Sequence, residues 1–344
     1  MSRETPDLLE APPDFGDKEA EYRSFLESCA LVSRADRAVV RVAGERRAEM
    51  LNGLLTNQVT DLENTGRHAM LLTAKGRVLT DLRVFALSDH MLLDVPRSGL
   101  RNLLDAFRKY LPPLYATFED ASDALHQLGL YGPEAAATAL EVLGTELPED
   151  HLGVREIVAG DAPVVVIRDR LLAPDGVELI VPHGAVARLT ERLLAAVTGR
   201  GGRAAGSRAL DVVRVEWGIP SYGIDISDSN LAQETGLEEV AISHDKGCYL
   251  GQEVVARVHF RGHVNRRLRS LRFANQMPPA GANLYDEGKD VGVVTSRVVS
   301  PEFGPIGLGY VRREVEPPAA LRWADREAEG GATVLEAPLR SVPV

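Results

Sequence analysis

One pattern occurs four times in this chain: a short apolar strand, a Gly or Pro turn, then an amphipathic helix. It reads "VVRVAGERRAEMLNGLL" from Val39, "MLLDVPRSGLRNLLDAFRKYL" from Met91, "LGLYGPEAAATALEVLG" from Leu128 and "VELIVPHGAVARLTERLLAAV" from Val177. The first and third are offset by about 88 residues, and so, within a few, are the second and fourth. In each, period-two alternation gives way to helical spacing. After Ser98, a candidate cap, Leu100, Leu103, Leu104 and Phe107 fall on one helical face. Half-apolar strands and striped helices must bury those faces against each other. The repeat therefore predicts a duplicated α+β body, each copy packing two helices on an antiparallel sheet. The copies span about 35–120 and 121–205, followed by a segment at 206–265 that carries the motifs discussed below, so the body covers 18–265.

After about residue 266 the texture changes. "ANLYDEGKDVGVVTSRVVSPEFGPIGLGYVRREV" has short β-branched runs between Gly and Pro turns and no helical period. That predicts a small all-β unit over 266–344, a barrel, with "EAEGGATV" as a hairpin turn. At the other end, residues 1–17 are acidic and proline-rich and read as a disordered tail. That stretch has neither the basic start and apolar core of a signal peptide nor the composition of a transit peptide. At 344 residues the chain exceeds one small core, and a mean hydropathy of −0.10 suits a soluble protein. No apolar run reaches the roughly 18 residues needed to span a bilayer, so the expected location is cytoplasmic.

Charge and cysteine content exclude several classes. A net charge of −11 disfavours generic nucleic-acid binding, which needs clustered Lys and Arg. The charge is uneven, however: no Asp or Glu lies between Val254 and Tyr285, where Arg257, Arg261, Arg266, Arg267, Arg269 and Arg272 cluster. That strip reads either as an anion site or as a solvated face. Only Cys29 and Cys248 are present, so neither a disulfide framework nor a four-thiolate cluster site is expected. Cys29 follows Tyr22, Phe25 and Leu26 at helical spacing and reads as a buried, inert thiol. His244 and Cys248 are four apart, as are His259 and His263, but glycines interrupt the region and no metal is expected. Phosphate-loop and nucleophile-elbow motifs do not occur.

Three stretches have the composition of functional segments. In "GRVLTDLRVF", Gly76 to Phe85, alternation places Asp81 beside Leu79, Arg83 and Phe85 on one strand face. A carboxylate so desolvated can act as a general base or stabilise positive charge, or simply pair with Arg83. In "SRALDVVRVEWGIPSYGIDI", Ser207 suits a helix N-cap and Glu216 falls in the last turn, where the helix dipole disfavours a carboxylate. A group so placed either accepts paired N–H bonds from a planar heterocycle or bridges to a nearby arginine. In "KGCYLGQE", Lys246 to Glu253, the lysine and glycines around Cys248 suggest a thiol of lowered pKa, with close ligand approach allowed at Gly247 and Gly251. The alternative is a structural loop.

That last motif resembles the signature of the YgfZ family of folate-binding proteins, whose mitochondrial relatives assist iron–sulfur cluster maturation and whose wider superfamily is that of the glycine-cleavage aminomethyltransferase. The resemblance runs from about Leu31 to about Val315 and includes "LLTNQV" at 54–59, "GRVLTDLRV" at 76–84, "RVEWGIPSYGIDI" at 214–226 and "GVVTSRVVSPEFGPIGLGYV" at 292–311. It implies a duplicated folate-binding body plus barrel arranged as a three-lobed ring, with tetrahydrofolate as ligand. By position, Glu216 matches the residue that grips the pterin edge, and Asp81 matches the aminomethyltransferases' catalytic aspartate. Tyr222 and Asn57 fall in segments that approach the ligand, and Arg257 and Arg261 would suit an anionic folate tail. Aminomethyltransferases carry no cysteine where this chain has "GCYLG".

The expectation is therefore a tetrahydrofolate-binding accessory factor for iron–sulfur cluster assembly or repair. Cys248 and Lys246 would act beside Asp81, and the partners would be iron–sulfur proteins such as tRNA-thiolating enzymes. The alternative is a folate-dependent aminomethyltransferase, and a third class is a folate-binding module without catalysis.

Overall fold

The computed structural model describes residues 11–172, 175–274 and 276–340. Its elements run in chain order: α1 (Lys18–Glu27), β1 (Ala30–Ser33), β2 (Arg37–Ala43), α2 (Arg47–Asn52), β3 (Gly66–Leu72), β4 (Val78–Ala86), β5 (His90–Pro96), α3 (Leu100–Tyr110) and β6 (Thr117–Asp120). Then come β7 (Leu125–Tyr131), α4 (Ala135–Leu143), β8 (Val154–Ala159), β9 (Ala162–Asp169), β10 (Gly176–Pro182), α5 (His183–Gly199), β11 (Arg203–Ala204) and α6 (Ser207–Glu216). The chain continues through α7 (Glu238–Ala241), α8 (Gln252–Arg261), β12 (Arg266–Phe273), β13 (Asn283–Asp286), β14 (Lys289–Ser300), β15 (Gly304–Arg312), β16 (Ala319–Ala324) and β17 (Glu329–Val334).

The duplication is visible in strand order. One sheet runs β3-β4-β5-β2-β6 and the other runs β8-β9-β10-β7-β1-β11, so the first four strands of each copy occupy the same places. Each sheet packs its helices on one face. In the first copy, Val40, Leu82, Val84 and Leu93 meet Leu103 and Phe107 of α3. In the second, Leu128, Leu130 and Leu179 meet Leu189 and Leu193 of α5. The opposite faces turn toward each other, and Phe85, Leu92, Ile167 and Ile180 form a common core between them. The last six strands close a barrel in the order β12-β15-β14-β13-β16-β17, packed around Trp323 and Leu284. The chain is thus α+β with a duplicated body and an all-β barrel. Among the described residues no helix is long and apolar enough to cross a membrane.

Several local expectations change. Residues 1–10 lie outside the described residues, but 11–17 of the expected tail are pinned. The carbonyls of Pro12 and Pro13 accept from the backbone N–H groups of Ser207 and Arg208, so neighbouring chain, rather than the Ser207 side chain, caps α6. Asp17 caps α1. Ser98 donates to the Tyr222 carbonyl at 2.9 Å instead of capping α3. The glycines of "EAEGGATV" lie inside β17, not in its turn: a side chain on Gly330 would strike the Trp323 ring at 2.7 Å, and the turn falls at Asp325–Ala328. Cys29 lies just past α1, fully buried, and burial pushes its thiol up to about 12.

Candidate active site

Strand pairing assembles the site from residues with no shared motif. Asp81 on β4 stands opposite Met70 on β3. His68, two residues from Met70, is its diagonal neighbour on the same face. Nε2–H of His68 donates to Asp81 Oδ2 at 3.0 Å. Burial acts to raise the Asp81 carboxyl, but the His68 hydrogen bond and charge, with the field of Arg37, outweigh it and hold the group below the ordinary carboxylate range. Asp81 is therefore a stable anion at neutral pH. That suits it to stabilise positive charge and makes it a weak base.

Next to this pair the two inner sheet faces share a buried charge network. Arg83, opposite Asp94 on β5, bonds Asp94 Oδ2 at 2.6 Å and Asp169 Oδ2 of the second sheet at 2.8 Å, and also reaches Glu178. Arg37 bonds Asp94 in bidentate fashion at 2.7 and 3.0 Å. Arg34 pairs with Asp36, and with Glu178 at 3.0 Å. Burial works against every charge here, but it is outweighed: the arginines keep Asp94 and Asp169 below the normal carboxylate range.

A cavity of about 480 Å³ opens beside the network. Its wall holds Asp81, His68, Arg37 and Arg97 on one side and Leu210, Asp211 and Arg214 of α6 with the 219–224 loop on another. Tyr222, in that loop, is nearly buried; its Oη accepts from Asn102 Nδ2 at 3.0 Å. Burial, partly offset by Asn102, raises the phenol, so it stays neutral. Arg214 bridges Asp211 and Asp225 and bonds Ser296 of the barrel at 2.9 Å, tying this wall to the barrel although no barrel residue lines the cavity. Arg97 donates to the carbonyls of Ala35 and Arg37. A separate hollow on the barrel, lined by Arg266, Tyr310 and Arg312 among others, shares none of these residues.

Of the residues singled out in the sequence, Asp81 and Tyr222 line the cavity and the others do not. Asn57 stands behind it: its Nδ2 donates to the His68 carbonyl at 2.9 Å and to the Val240 carbonyl at 3.0 Å, fixing β3 beside α7. Glu216, expected to grip a ligand, is fully buried elsewhere. Its carboxylate accepts from Arg340 Nε at 2.7 Å, Ser300 Oγ at 2.6 Å and Tyr22 Oη at 3.1 Å. Its arginine partner is not the neighbouring Arg214, which pairs with Asp211 and Asp225, but Arg340, far away in sequence.

Lys246 is engaged within the fold. Its ammonium turns inward and donates to the carbonyls of Asn52, Leu55 and Asn57 at 2.7, 2.7 and 2.8 Å. Burial pulls it down to about 8. Tyr249 packs with Met70, Leu72 and Val255. Gly251 adopts φ +85°, and a side chain there would meet the Thr73 carbonyl at 2.5 Å, so its freedom serves close chain packing rather than ligand approach. Cys248 is exposed. Arg257 and Arg261 lie on α8, where Arg257 pairs with Glu253. Glu216 and Cys248 line neither of the two hollows described above. His68, Arg37 and Arg97 were missed because nothing local marks them. The available signal was the β3–β4 pairing, which sets a histidine diagonal to Asp81.

A model of the GCVT N-terminal domain matches residues 9–246. The chain belongs to that family. It is similar to the aminomethyltransferase of Corynebacterium jeikeium, 25% identical over 336 residues that cover 91% of this chain and 85% of the relative. It is also similar to that of Saccharopolyspora erythraea, 28% identical over 311 residues, covering 88% and 84%. In fold it matches the crystal structure of glycine cleavage system aminomethyltransferase T from Bartonella henselae. The TM-score is 0.83 at 22% identity, over 94% of this chain and 90% of that one, so the three-lobed arrangement is shared. These relatives overturn the expectation of an iron–sulfur accessory factor serving tRNA-thiolating and other cluster enzymes. They carry the aminomethyltransferase name across nearly the whole chain, and the lysine meant to activate Cys248 is engaged inside the loop.

Proposed function

We propose that this protein is a folate-dependent aminomethyltransferase, with the cavity beside Asp81 as its active site. The observation that carries this reading is an ionised Asp81, oriented by His68, at the wall of a cavity lined by both sheets of the body and by α6. The lining fits a reduced folate. Leu171, Leu172, Leu210, Ile219 and Tyr222 offer apolar surface to a flat ring system, and a volume near 480 Å³ is in the range of small-molecule sites. Arg97, whose partners are carbonyls, is the cation available to an anionic tail, and it replaces Arg257 and Arg261 in that role.

Tetrahydrofolate supplies the nitrogens that take up the one-carbon unit, while the carrier sulfur and ammonia leave. The chain's own part is electrostatic. Asp81 stabilises the positive charge that develops on the transferred methylene, and His68 holds the carboxylate in place. Tyr222, a neutral phenol, orients the ring. The loop at 246–253 keeps its resemblance to the YgfZ signature but acts here as scaffold: Lys246 ties 52–57 in place, and Asn57 in turn holds the backbone of His68.

The decisive experiment gives the purified protein an aminomethyl-lipoyl carrier and tetrahydrofolate. Formation of methylene-tetrahydrofolate and free ammonia, abolished by Asp81→Asn, is the expected result. No product from a protein that binds tetrahydrofolate would leave only a binding module.

A further inference from the structure

Neither four-residue histidine spacing in the sequence forms a ligand set, but the fold builds a different one. We propose that Glu238, His244 and His259 bind one divalent transition-metal ion of the zinc class. His244 precedes the cysteine loop, His259 lies near the end of α8 beyond it, and Glu238 opens α7. His244 Nε2 and His259 Nδ1 each lie 3.5 Å from the same oxygen, Glu238 Oε1. The three donor atoms all fall within 4.8 Å of one another.

A separation of 3.5 Å is long for an N–H···O hydrogen bond to a carboxylate, which centres near 2.7–2.9 Å. It matches the edge of a tetrahedron around an ion with bonds of about 2.0–2.1 Å, which is roughly 3.4 Å. The two imidazole rings lie face to face with centroids 3.6 Å apart and planes 18° apart; because an imidazole lone pair lies in its ring plane, one ring turns about its Cβ–Cγ bond when both bind the same ion.

The supports are fixed. Thr56 Oγ1 and Asn57 Nδ2 donate to the carbonyls of Ala241 and Val240 in α7. Gln233 Nε2 donates to the Val255 carbonyl in α8, and Phe260 sets its ring edge-on to His259 at 4.8 Å. The ligand side chains are 22–39% exposed, so an ion held by three protein donors keeps a position for water. Two imidazoles and one carboxylate suit zinc, cobalt or nickel better than magnesium or calcium. Bound there, the ion would staple α7 to α8 and brace the loop that carries Cys248.

The test uses the full chain stripped with chelator and then given zinc or cobalt alone. One equivalent of zinc by calorimetry, a tetrahedral cobalt absorption band, and a zinc-dependent rise in Tm are expected. Glu238→Gln, His244→Gln and His259→Gln should each weaken binding at least tenfold, while Cys248→Ser leaves it unchanged. Wild-type protein that shows no cobalt band, or that binds zinc no better than the His244→Gln/His259→Gln double variant, overturns the proposal. Loss of binding in Cys248→Ser equal to that in His259→Gln overturns the donor set.

Discussion

The cavity beside Asp81 and the loop around Cys248 make opposite use of charge. Beside the cavity, three arginines and the three buried carboxylates of Asp94, Asp169 and Glu178 compensate one another across two sheets. In the loop, one lysine is buried against carbonyls alone, and the thiol next to it faces solvent. The first arrangement fixes an electric field where a substrate can reach it. The second fixes a backbone. A dense cluster of distinctive residue types is therefore no guide by itself to where chemistry occurs; what matters is whether the polar atoms point into a hollow or into the chain.

Four substitutions and one titration break or sharpen this contrast. Arg83→Met removes the cation shared by Asp94, Asp169 and Glu178, leaving buried anions undercompensated. Breaking such a pair costs about 3–5 kcal/mol, read as a lower urea midpoint with the slope unchanged. Asp81→Asn keeps the shape but loses the anion. The turnover number should fall about 10²–10³-fold, with tetrahydrofolate affinity within a few-fold of wild type by calorimetry.

Lys246→Met strands the carbonyls of Asn52, Leu55 and Asn57 and should cost about 3 kcal/mol in chemical denaturation, although it lies outside the cavity. On acidification, the carboxyls of Asp81, Asp94 and Asp169, held below their unfolded value, contribute stability that is complete above about pH 4 and is lost as pH falls through the folded value. Urea midpoints from pH 6 down to pH 3 should show that loss, and Arg83→Met should flatten it. Cys248→Ser should change stability by no more than about 0.5 kcal/mol and leave methylene transfer intact. An effect of Cys248→Ser as large as that of Asp81→Asn would collapse the contrast.

The duplicated body and the barrel were legible because they rest on periodicity. Leu103 and Phe107 at helical spacing state which face is buried before any tertiary fact is known. Asp81 and Tyr222 were legible as site candidates through their segments. His68, Arg37 and Arg97 were not, because their meaning comes from cross-strand register and from the facing of two sheets. Glu216 shows the same limit from the other direction. Its awkward position at a helix C-terminus was read correctly as an inconsistency, but the group that resolves it lies 124 residues away.

The contact at Glu216 also joins the two ends of the chain. Tyr22 and Arg340, 318 residues apart, meet over a carboxylate at the end of a helix that residues 12 and 13 hold at its start. Without the segment that follows β17, that anion has no cation. A partly formed molecule thus carries a built-in fault at the junction of its lobes, and only a complete circuit of the chain removes it.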